Sequence, residues 1–228
     1  MLINPTARLQ GLATDGRSDS LSHRLRERRF RLFEQLVEPL PRPLRIIDVG
    51  GTNGYWEQRG WAGRDDVSIT LVNLEAEERR HENIHPTAGD ATDLADHADD
   101  TFDIAFSNSV IEHLFTLENQ QSMAREMQRV ARAYWVQTPN FWFPVEPHFF
   151  PVIGWHWLPE RARVEILMRT NVGAWAGRTP ERAKAEQVIK EHRLMRRGEI
   201  AHLFPDATLL PERFGGLVKS WTAVGGLK

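Results

Sequence analysis

Short apolar runs alternate with helical patterns through most of the chain after residue 43. Between the fourth and fifth of these runs, Met123, Met127 and Val130 recur at the spacing of one helical face. Strands that alternate with helices in this way predict a parallel sheet with helices on both faces, joined by right-handed crossovers. The predicted strands are Leu44–Val49, 67–74, Ile84–Ala88, 102–107 and 134–138.

The first part of the chain follows a different pattern. Residues 1–19 are polar and rich in Gly, Asp and Ser, which predicts a loose arm. Side chains at 18–20 can cap a helix whose leucines recur at helical spacing, and Pro39 and Pro41 end it. Five arginines fall within residues 24–31. They form either a solvated helix face or a patch for an acidic substrate or a nucleic acid, and the sequence leaves both open.

An aromatic segment interrupts the alternation after the fifth strand. Nine aromatic residues fall between Tyr134 and Trp157, together with four prolines between 139 and 151. Two helices are predicted to follow, over about 159–169 and about 180–196. We interpret this part of the chain as a cap inserted into the alternating domain.

The end of the chain predicts an antiparallel hairpin, with strands at 207–212 and 217–224 joined through Gly215 and Gly216. The complete prediction is an α/β fold with a Rossmann-like seven-stranded sheet. The sheet is mostly parallel with an antiparallel last strand, has helices on both faces, and carries the inserted aromatic cap. We expect an N-terminal arm and helix at 1–40 and one main domain at 41–228, with the cap at about 139–200 within it.

Composition narrows the class of protein. The chain has no cysteine, which excludes a disulfide framework and a thiolate metal site. Lys+Arg 29 against Asp+Glu 31 gives a net charge of −2, so nothing in the overall charge favours nucleic acid or an anionic membrane. No apolar run reaches the ~18 residues of a membrane span, and the first residues lack the apolar core of a secretory signal. We therefore expect a cytoplasmic protein with no membrane association, and nucleic acid is not the expected partner.

The strongest chemical signal lies at the end of the first predicted strand. Gly50, Gly51 and Gly54 follow Asp48 and open a predicted helix. Glycines let the backbone approach a ligand closely, and a helix N-terminus offers N–H groups to an anion. The spacing does not match the G-x-G-x-x-G of dinucleotide sites. A carboxylate at Asp48 would repel a pyrophosphate but can accept hydrogen bonds from an ammonium group, so the pattern favours an amino-acid-like ligand.

Four ordered motifs resemble those of class I S-adenosylmethionine-dependent methyltransferases. The segment 48–54 resembles the family's first motif, acidic-x-Gly-x-Gly-x-Gly, with Thr52 in place of the middle glycine. Residues 71–75 resemble the end of its second strand, and 89–92 resemble the motif after its third strand. Residues 102–114 are similar to the fourth strand and following helix of the methyltransferase type 11 group. The reversed final strand also fits the family.

The resemblance implies a role for each matching position. Asp48 and the glycine loop would hold the methionine part of the cofactor. Asn73 or Glu75 would hold the ribose hydroxyls, and Asp90 would bind the adenine amino group. The residues expected to bind the cofactor are Asp48, Gly50, Gly51, Thr52, Asn53, Gly54, Tyr55, Asn73, Leu74, Glu75, Asp90, Ala91, Asn108 and Ser109.

The resemblance also implies a reaction, in which a methyl group passes from S-adenosyl-L-methionine to an acceptor and S-adenosyl-L-homocysteine is the product. We expect the acceptor to be an O or N of a small-molecule biosynthetic intermediate. The alternatives are a methyltransferase acting on nucleic acid or protein, which the arginines at 24–31 would suit, and a non-catalytic protein that binds the cofactor. The N-terminal helix could cover its own site or pack on a partner in a homodimer.

Three polar residues are candidates for chemistry on the acceptor. Glu146 and His148 lie among the aromatic residues after the fifth strand, and His113 follows the fourth. Histidine is the side chain whose charge changes near neutral pH, so His148 is the expected general base or acceptor-orienting group. Some methyltransferases of the ubiquinone and plant small-RNA pathways carry Glu-x-x-Glu-His where this chain has Ser109, Glu112 and His113, and bind magnesium there. A divalent site from Glu112, His113 and His148 would have too few carboxylates for such an ion, so we expect no metal.

Overall fold

The computed structural model describes residues 21–149, 152–172 and 178–227. The arm expected at 1–19 lies outside the described residues. So do the candidate caps at 18–20 of the first helix. Within the described part of the chain, no helix is both long enough and apolar enough to cross a membrane.

Seven strands form one mixed sheet in the order β3-β2-β1-β4-β5-β7-β6. The first five strands pair in parallel, and β7 runs antiparallel to both β5 and β6. The predicted fold class is therefore confirmed, including the reversed last strand. The strands are β1 (Leu44–Val49), β2 (Val67–Asn73), β3 (Ile84–Ala88), β4 (Phe102–Asn108), β5 (Ala131–Pro139), β6 (Thr208–Phe214) and β7 (Leu217–Gly225).

Six α-helices accompany the sheet in the described residues. They are α1 (Leu21–Val37), α2 (Asn53–Glu57), α3 (Leu117–Val130), α4 (Glu160–Arg169), α5 (Arg182–Lys190) and α6 (Arg197–Leu203). Helix α3 passes directly into β5 because Ala131, its C-terminal flanking residue, already has extended backbone angles. The fifth strand therefore begins three residues earlier than its apolar run predicted.

The helix predicted over 180–196 is wrong in its second half. Helix α5 ends at Lys190, and the chain continues in a non-helical conformation to Arg196. The physical reason is competition from tertiary hydrogen bonds. Arg193 N donates to Glu112 O at 2.7 Å, and Phe141 N donates to Met195 O at 3.0 Å. These long-range bonds use backbone groups of the segment that follows α5, so the helix cannot continue through it.

Two apolar clusters cover the two faces of the sheet. On one face, α3 and α6 pack against the central strands, and the predicted stripe of Met123, Met127 and Val130 is fully buried there. On the other face, α1 and α2 bring Phe33 and Trp56 against the sheet, with Trp135 of β5 in the same cluster. Rings in this second cluster meet edge-to-face or tilted at centroid distances between 5.0 and 6.4 Å, as in Phe33–Phe106 and Phe33–Trp56.

The arginine-rich helix α1 is amphipathic. Its apolar side contributes Phe30, Phe33 and Val37 to the aromatic cluster. Arg29 lies nearly buried and forms an ion pair with Glu212 of β6 at 3.8 Å. Part of the arginine run therefore joins the helix to the sheet edge, while Arg24 and others face solvent.

A third apolar cluster lies between residues 149 and 189, apart from the two sheet clusters. Helices α4 and α5 pack on one another, and Trp155 stacks on Phe149 at a centroid distance of 4.5 Å. This cluster falls inside the segment predicted as a cap. The segment thus has an apolar core of its own, and its role as a cap stays a prediction.

Candidate functional site

The loop between β1 and α2 is shaped by its glycines. Gly50 has a φ of +81°, a conformation that a side chain would strain, and a Cβ there would also strike Val110. A Cβ on Gly51 would lie 1.8 Å from Asp48 Oδ2. By contrast, a Cβ on Gly54 would meet nothing within 4 Å. The loop therefore has no space for a side chain at Gly50 or Gly51, whereas the space beside Gly54 is open.

Asp48 lies beneath this loop and is 1 % exposed. Its Oδ2 accepts a hydrogen bond from Trp56 Nε1 at 2.8 Å. Burial raises the pKa of Asp48 to about 7, although the bond from Trp56 and the charge of Arg59 oppose the shift. The structure thus places Asp48 as a support of the loop, and its contact with a ligand stays a prediction.

The end of β2 is tied to the glycine loop by two side chains. Asn73 Nδ2 donates to Gly51 O at 2.7 Å. Glu77 Oε2 accepts from both N and Nδ2 of Asn53, each at 2.7 Å. Glu77 was not predicted, and nothing in the sequence pattern separates it from the other acidic residues nearby. With the Asn73 amide engaged by the loop, the exposed Glu75 is the less constrained of the two candidates for the ribose.

The remaining cofactor candidates lie at the carboxyl ends of the neighbouring strands. Asp90 Oδ1 accepts from Thr92 N at 2.8 Å and Thr92 Oγ1 at 2.7 Å, which fixes the turn after β3. Leu74 is 80 % exposed beyond β2. At the end of β4, Asn108 Oδ1 is buried and has no hydrogen-bond partner in the described part of the chain. Ser109 Oγ donates to Gln137 Oε1 at 2.8 Å.

Two further candidates line the start of α2. Thr52 caps the helix, because its Oγ1 accepts from Tyr55 N at 3.3 Å. The guanidinium of Arg59 lies over the ring of Tyr55, 3.7 Å from the ring centroid. Strands β1 and β4 are adjacent, and the chain order reverses between them, which is where ligands bind in such sheets. The structure thus brings the cofactor candidates to one edge of the sheet.

The candidates for chemistry on the acceptor lie at the same edge of the sheet. His113 is one short turn away from Val110, the residue that contacts the Gly50 position. His113 N donates to Val110 O at 2.8 Å within the 3₁₀ turn Ile111–His113. His148 follows β5 in the 3₁₀ turn Pro147–Phe149. The ring centroids of His113 and His148 are 5.0 Å apart.

A buried carboxylate holds the orientation of His148. Glu146 is 2 % exposed, and its Oε1 accepts from His148 Nδ1 at 2.6 Å. Burial by itself would lower the pKa of His148, but the hydrogen bond and charge of Glu146 outweigh it and raise that pKa. Burial would likewise raise the pKa of Glu146, and the bond from His148 outweighs it and lowers that pKa. Both directions favour an ion pair.

A third imidazole, His192, completes this group, and sequence reasoning missed it. Its ring centroid is 4.8 Å from His113 and 4.4 Å from His148. It lay within the helix predicted over 180–196, so no motif signalled it. The early end of α5 places it beside the turn at 111–113. Gln120 Nε2 joins the two segments by donating to Ile111 O at 2.8 Å and to Arg193 O at 3.0 Å.

Part of the chain is similar in sequence to a known family. Residues 50–133 match the family model described as a methyltransferase domain. No curated protein matches the chain in sequence.

Solved structures share the fold of this chain at low sequence identity. A SAM-dependent methyltransferase from Aquifex aeolicus has a TM-score of 0.50 and 12 % identity, over 97 % of this chain and 98 % of that one. The CurJ carbon methyltransferase has a TM-score of 0.52 and 12 % identity, over 85 % of this chain and 51 % of that one. A candidate Zn-dependent alcohol dehydrogenase from Rhodobacter sphaeroides has a TM-score of 0.53 and 11 % identity, over 85 % of this chain and 87 % of that one. These likenesses show the fold alone.

Two features of the described residues suit the expected cofactor. A Cβ at Gly54 would meet nothing within 4 Å, and Asn108 Oδ1 is buried and has no hydrogen-bond partner in the described part of the chain. When bound, S-adenosylmethionine supplies a methyl group on a positively charged sulfur, and S-adenosylhomocysteine is the product.

Proposed function

We propose that the methyltransferase acts on an O or N atom of a small-molecule acceptor bound beneath the segment 139–200. The observation that carries this proposal is the Glu146–His148 pair, a half-buried imidazole hydrogen-bonded to a buried carboxylate. It lies beside His113, which is one 3₁₀ turn from the residue that contacts Gly50. A base held so close to the glycine loop suits an acceptor that must lose a proton.

His148 is the residue proposed to receive that proton. Its Nδ1 is engaged by Glu146, so in the neutral ring Nε2 is the nitrogen that can accept a proton, and the ring becomes the ion-pair partner of Glu146 once it has done so. Glu146 stabilises the imidazolium that forms and fixes the ring orientation. The acceptor atom then bonds to the methyl carbon while the carbon–sulfur bond breaks, and a positioned base contributes about 10²–10⁴-fold to such a rate.

Exposed aromatic rings on the same segment of the chain support an organic acceptor. Trp142 and Trp157 are exposed, with ring centroids 6.5 Å apart. Arg196 lies 4.7 Å from the Phe141 centroid and 5.7 Å from that of Trp142. Ring faces beside a cation offer contacts to a planar or anionic small molecule.

The test combines cofactor binding with an acceptor screen. We expect the purified protein to bind S-adenosylhomocysteine in calorimetric titration and to transfer a labelled methyl group to hydroxylated or amine-bearing small molecules. His148→Gln should lower turnover about 100-fold or more without changing the affinity for S-adenosylhomocysteine. The control is His202→Gln, at an exposed position on α6. Full turnover in His148→Gln would contradict the role given to this histidine.

Nucleic acid and protein acceptors form the competing proposal, which rests on the exposed arginines of α1. The same labelled-methyl assay is run with RNA, DNA and basic peptides. Binding of nucleic acid through these arginines would weaken steeply with salt, in proportion to the phosphates contacted. Transfer to a macromolecule and not to any small molecule would replace the first proposal by this one.

A further inference from the structure

Three histidines from distant parts of the chain meet at one point. His113 follows β4, His148 follows β5, and His192 follows α5. Each offers one ring nitrogen, and the three nitrogens all lie within 4.8 Å of one another. The rings are half-buried, so the point between them is neither open solvent nor sealed core.

Two of the three rings are already engaged by an oxygen through Nδ1. Glu146 Oε1 accepts from His148 Nδ1 at 2.6 Å, and Val188 O accepts from His192 Nδ1 at 3.1 Å. A ring that donates from one nitrogen keeps a lone pair on the other, which is the arrangement of a metal-binding histidine with its outer hydrogen bond in place.

Packing alone does not account for this arrangement. Three ring nitrogens within 4.8 Å of one another would repel if each kept a lone pair directed to the others, and protonating them would bring positive charges together. A cation bound between the three nitrogens would be attracted to each lone pair, so three coordination bonds would replace the repulsion. The outer hydrogen bonds to a carboxylate and to a carbonyl oxygen strengthen the ligands in the same way as in known metal sites.

An unpaired carboxylate beside the cluster adds a second observation. Glu112 is 0 % exposed and precedes His113 in the same turn. Its Oε2 accepts from Thr138 Oγ1 at 3.0 Å, while its Oε1 has no hydrogen-bond partner among the residues that the structure describes. A buried oxygen left in this state is costly unless a positive group lies near it.

We propose that His113, His148 and His192 bind one divalent transition-metal ion of the Zn²⁺ class, with Glu146 as the positioning residue of His148. Imidazole suits zinc and its neighbours in the first transition row, whereas magnesium prefers oxygen ligands. Metal–nitrogen bonds of about 2.0–2.1 Å would draw the three nitrogens closer together than they are now. The expectation of no metal rested on the small number of carboxylates among Glu112, His113 and His148. His192 was not among those candidate ligands.

Three protein ligands leave one coordination position open. Because the cluster lies one turn from Val110, we assign that position to the oxygen of the acceptor, a step that rests on the proposed function. His148 then acts on the acceptor through the ion, which lowers the pKa of a bound hydroxyl, and the proton passes to solvent. Without the ion, His148 is the base described above.

The test of the site is metal binding itself. The full chain, without a histidine tag and freed of metal by a chelator, is titrated with Co²⁺ while its visible absorption is recorded. We expect a tetrahedral Co²⁺ spectrum that saturates at one ion per chain and is displaced by Zn²⁺ but not by Mg²⁺. His192→Ala should weaken Co²⁺ affinity about 100-fold or more, and Glu146→Gln about 10- to 100-fold. His202→Ala, at its exposed position on α6, should leave it unchanged.

The outcomes separate this proposal from the proposed function. Equal Co²⁺ affinity in the parent chain and His192→Ala overturns the metal site, because an adventitious ion would bind both. Circular dichroism and S-adenosylhomocysteine affinity show whether His192→Ala is folded, and His192→Asn serves as a second variant of closer shape. Turnover that survives chelation while His148→Gln abolishes it also overturns the metal role and leaves the proposed function standing. Metal binding without any small-molecule turnover retains the site and removes the proposed function.

Discussion

The two halves of the site are built in opposite ways. The cofactor half uses the backbone of one contiguous loop, Gly50–Gly54, held from below by Asp48 and from the side by Asn73 and Glu77. The acceptor half uses side chains from three segments that are 35 and 44 residues apart along the chain, at 113, 148 and 192. A backbone cradle requires small residues at fixed spacing, whereas a side-chain cluster requires only that the fold bring its members together. The first kind of site is therefore local in sequence, and the second is not.

The largest expected effect is the difference in stability between a substitution at Gly51, where a side chain has no space, and one at Gly54, where the space is open. Gly51→Ala would place a Cβ against Asp48 Oδ2, so we expect the free energy of unfolding to fall by about 3 kcal/mol. Gly54→Ala would place its Cβ in open space at the start of α2, so stability should stay within about 0.5 kcal/mol of the parent. Its methyl group would still enter the cofactor edge and weaken S-adenosylhomocysteine binding. Urea unfolding and calorimetry measure the two effects.

The affinity of Gly54→Ala for S-adenosylhomocysteine gives the outcome that would contradict this prediction. If Gly54→Ala binds S-adenosylhomocysteine as well as the parent does, the open side of the loop is not the cofactor surface.

The next effect concerns the acceptor half. Glu146→Ala removes the carboxylate that orients His148, and we expect kcat for methyl transfer to fall about 10- to 100-fold. The affinity for S-adenosylhomocysteine should not change, because the side-chain hydrogen bonds of Glu146 among the described residues go to His148 and not to the glycine loop. Glu160→Ala, at an exposed position at the start of α4, is the matched control. Equal loss of cofactor affinity and kcat would show that the two halves are not separate.

The smallest effect is a pH dependence that belongs to the cofactor half alone. The folded-state pKa of Asp48 is raised from 3.8 to about 7, so the folded chain holds its proton more tightly than the unfolded chain does. Stability from this group is therefore greatest at low pH and is lost as the pH rises toward 7. Asp48→Asn keeps an oxygen for Trp56 Nε1 but does not ionise. Its stability relative to the parent should rise by about 2 kcal/mol between pH 5 and pH 7.

Urea unfolding of both chains at the two pH values checks this result. A constant difference between Asp48→Asn and the parent would mean that Asp48 titrates normally. The same variant should bind S-adenosylmethionine more weakly if Asp48 also contributes its charge to the ammonium group.

Much of the fold could be predicted because the strands are buried on both faces. Runs such as Leu44–Val49 are nearly continuous in apolar residues, and such runs are visible without an alignment. The error at 180–196 had a different origin. Nothing local ends α5 at Lys190, and the hydrogen bonds of Arg193 and Met195 that hold the next segment come from residues far away in sequence.

The same reasoning explains what the sequence revealed of the site. The glycine loop could be predicted because its glycines and Asp48 lie at a short, fixed spacing in the sequence. His113 and His148 were visible because they follow strands, where parallel sheets place their ligands. His192 was not visible because its position depends on where a helix stops. Glu77 was not visible because any acidic residue after β2 could have reached Asn53.

The packing of α1 has a consequence for the boundaries of this domain. Phe33 of that helix touches Trp56, Trp61, Phe106 and Trp135, which belong to the region around α2 and to two central strands. The stretch that matches the methyltransferase domain model, 50–133, leaves out α1, the whole of β1 and most of β5. The recognisable segment is thus smaller than the unit that can fold, and a shortened protein must begin no later than the first turn of α1.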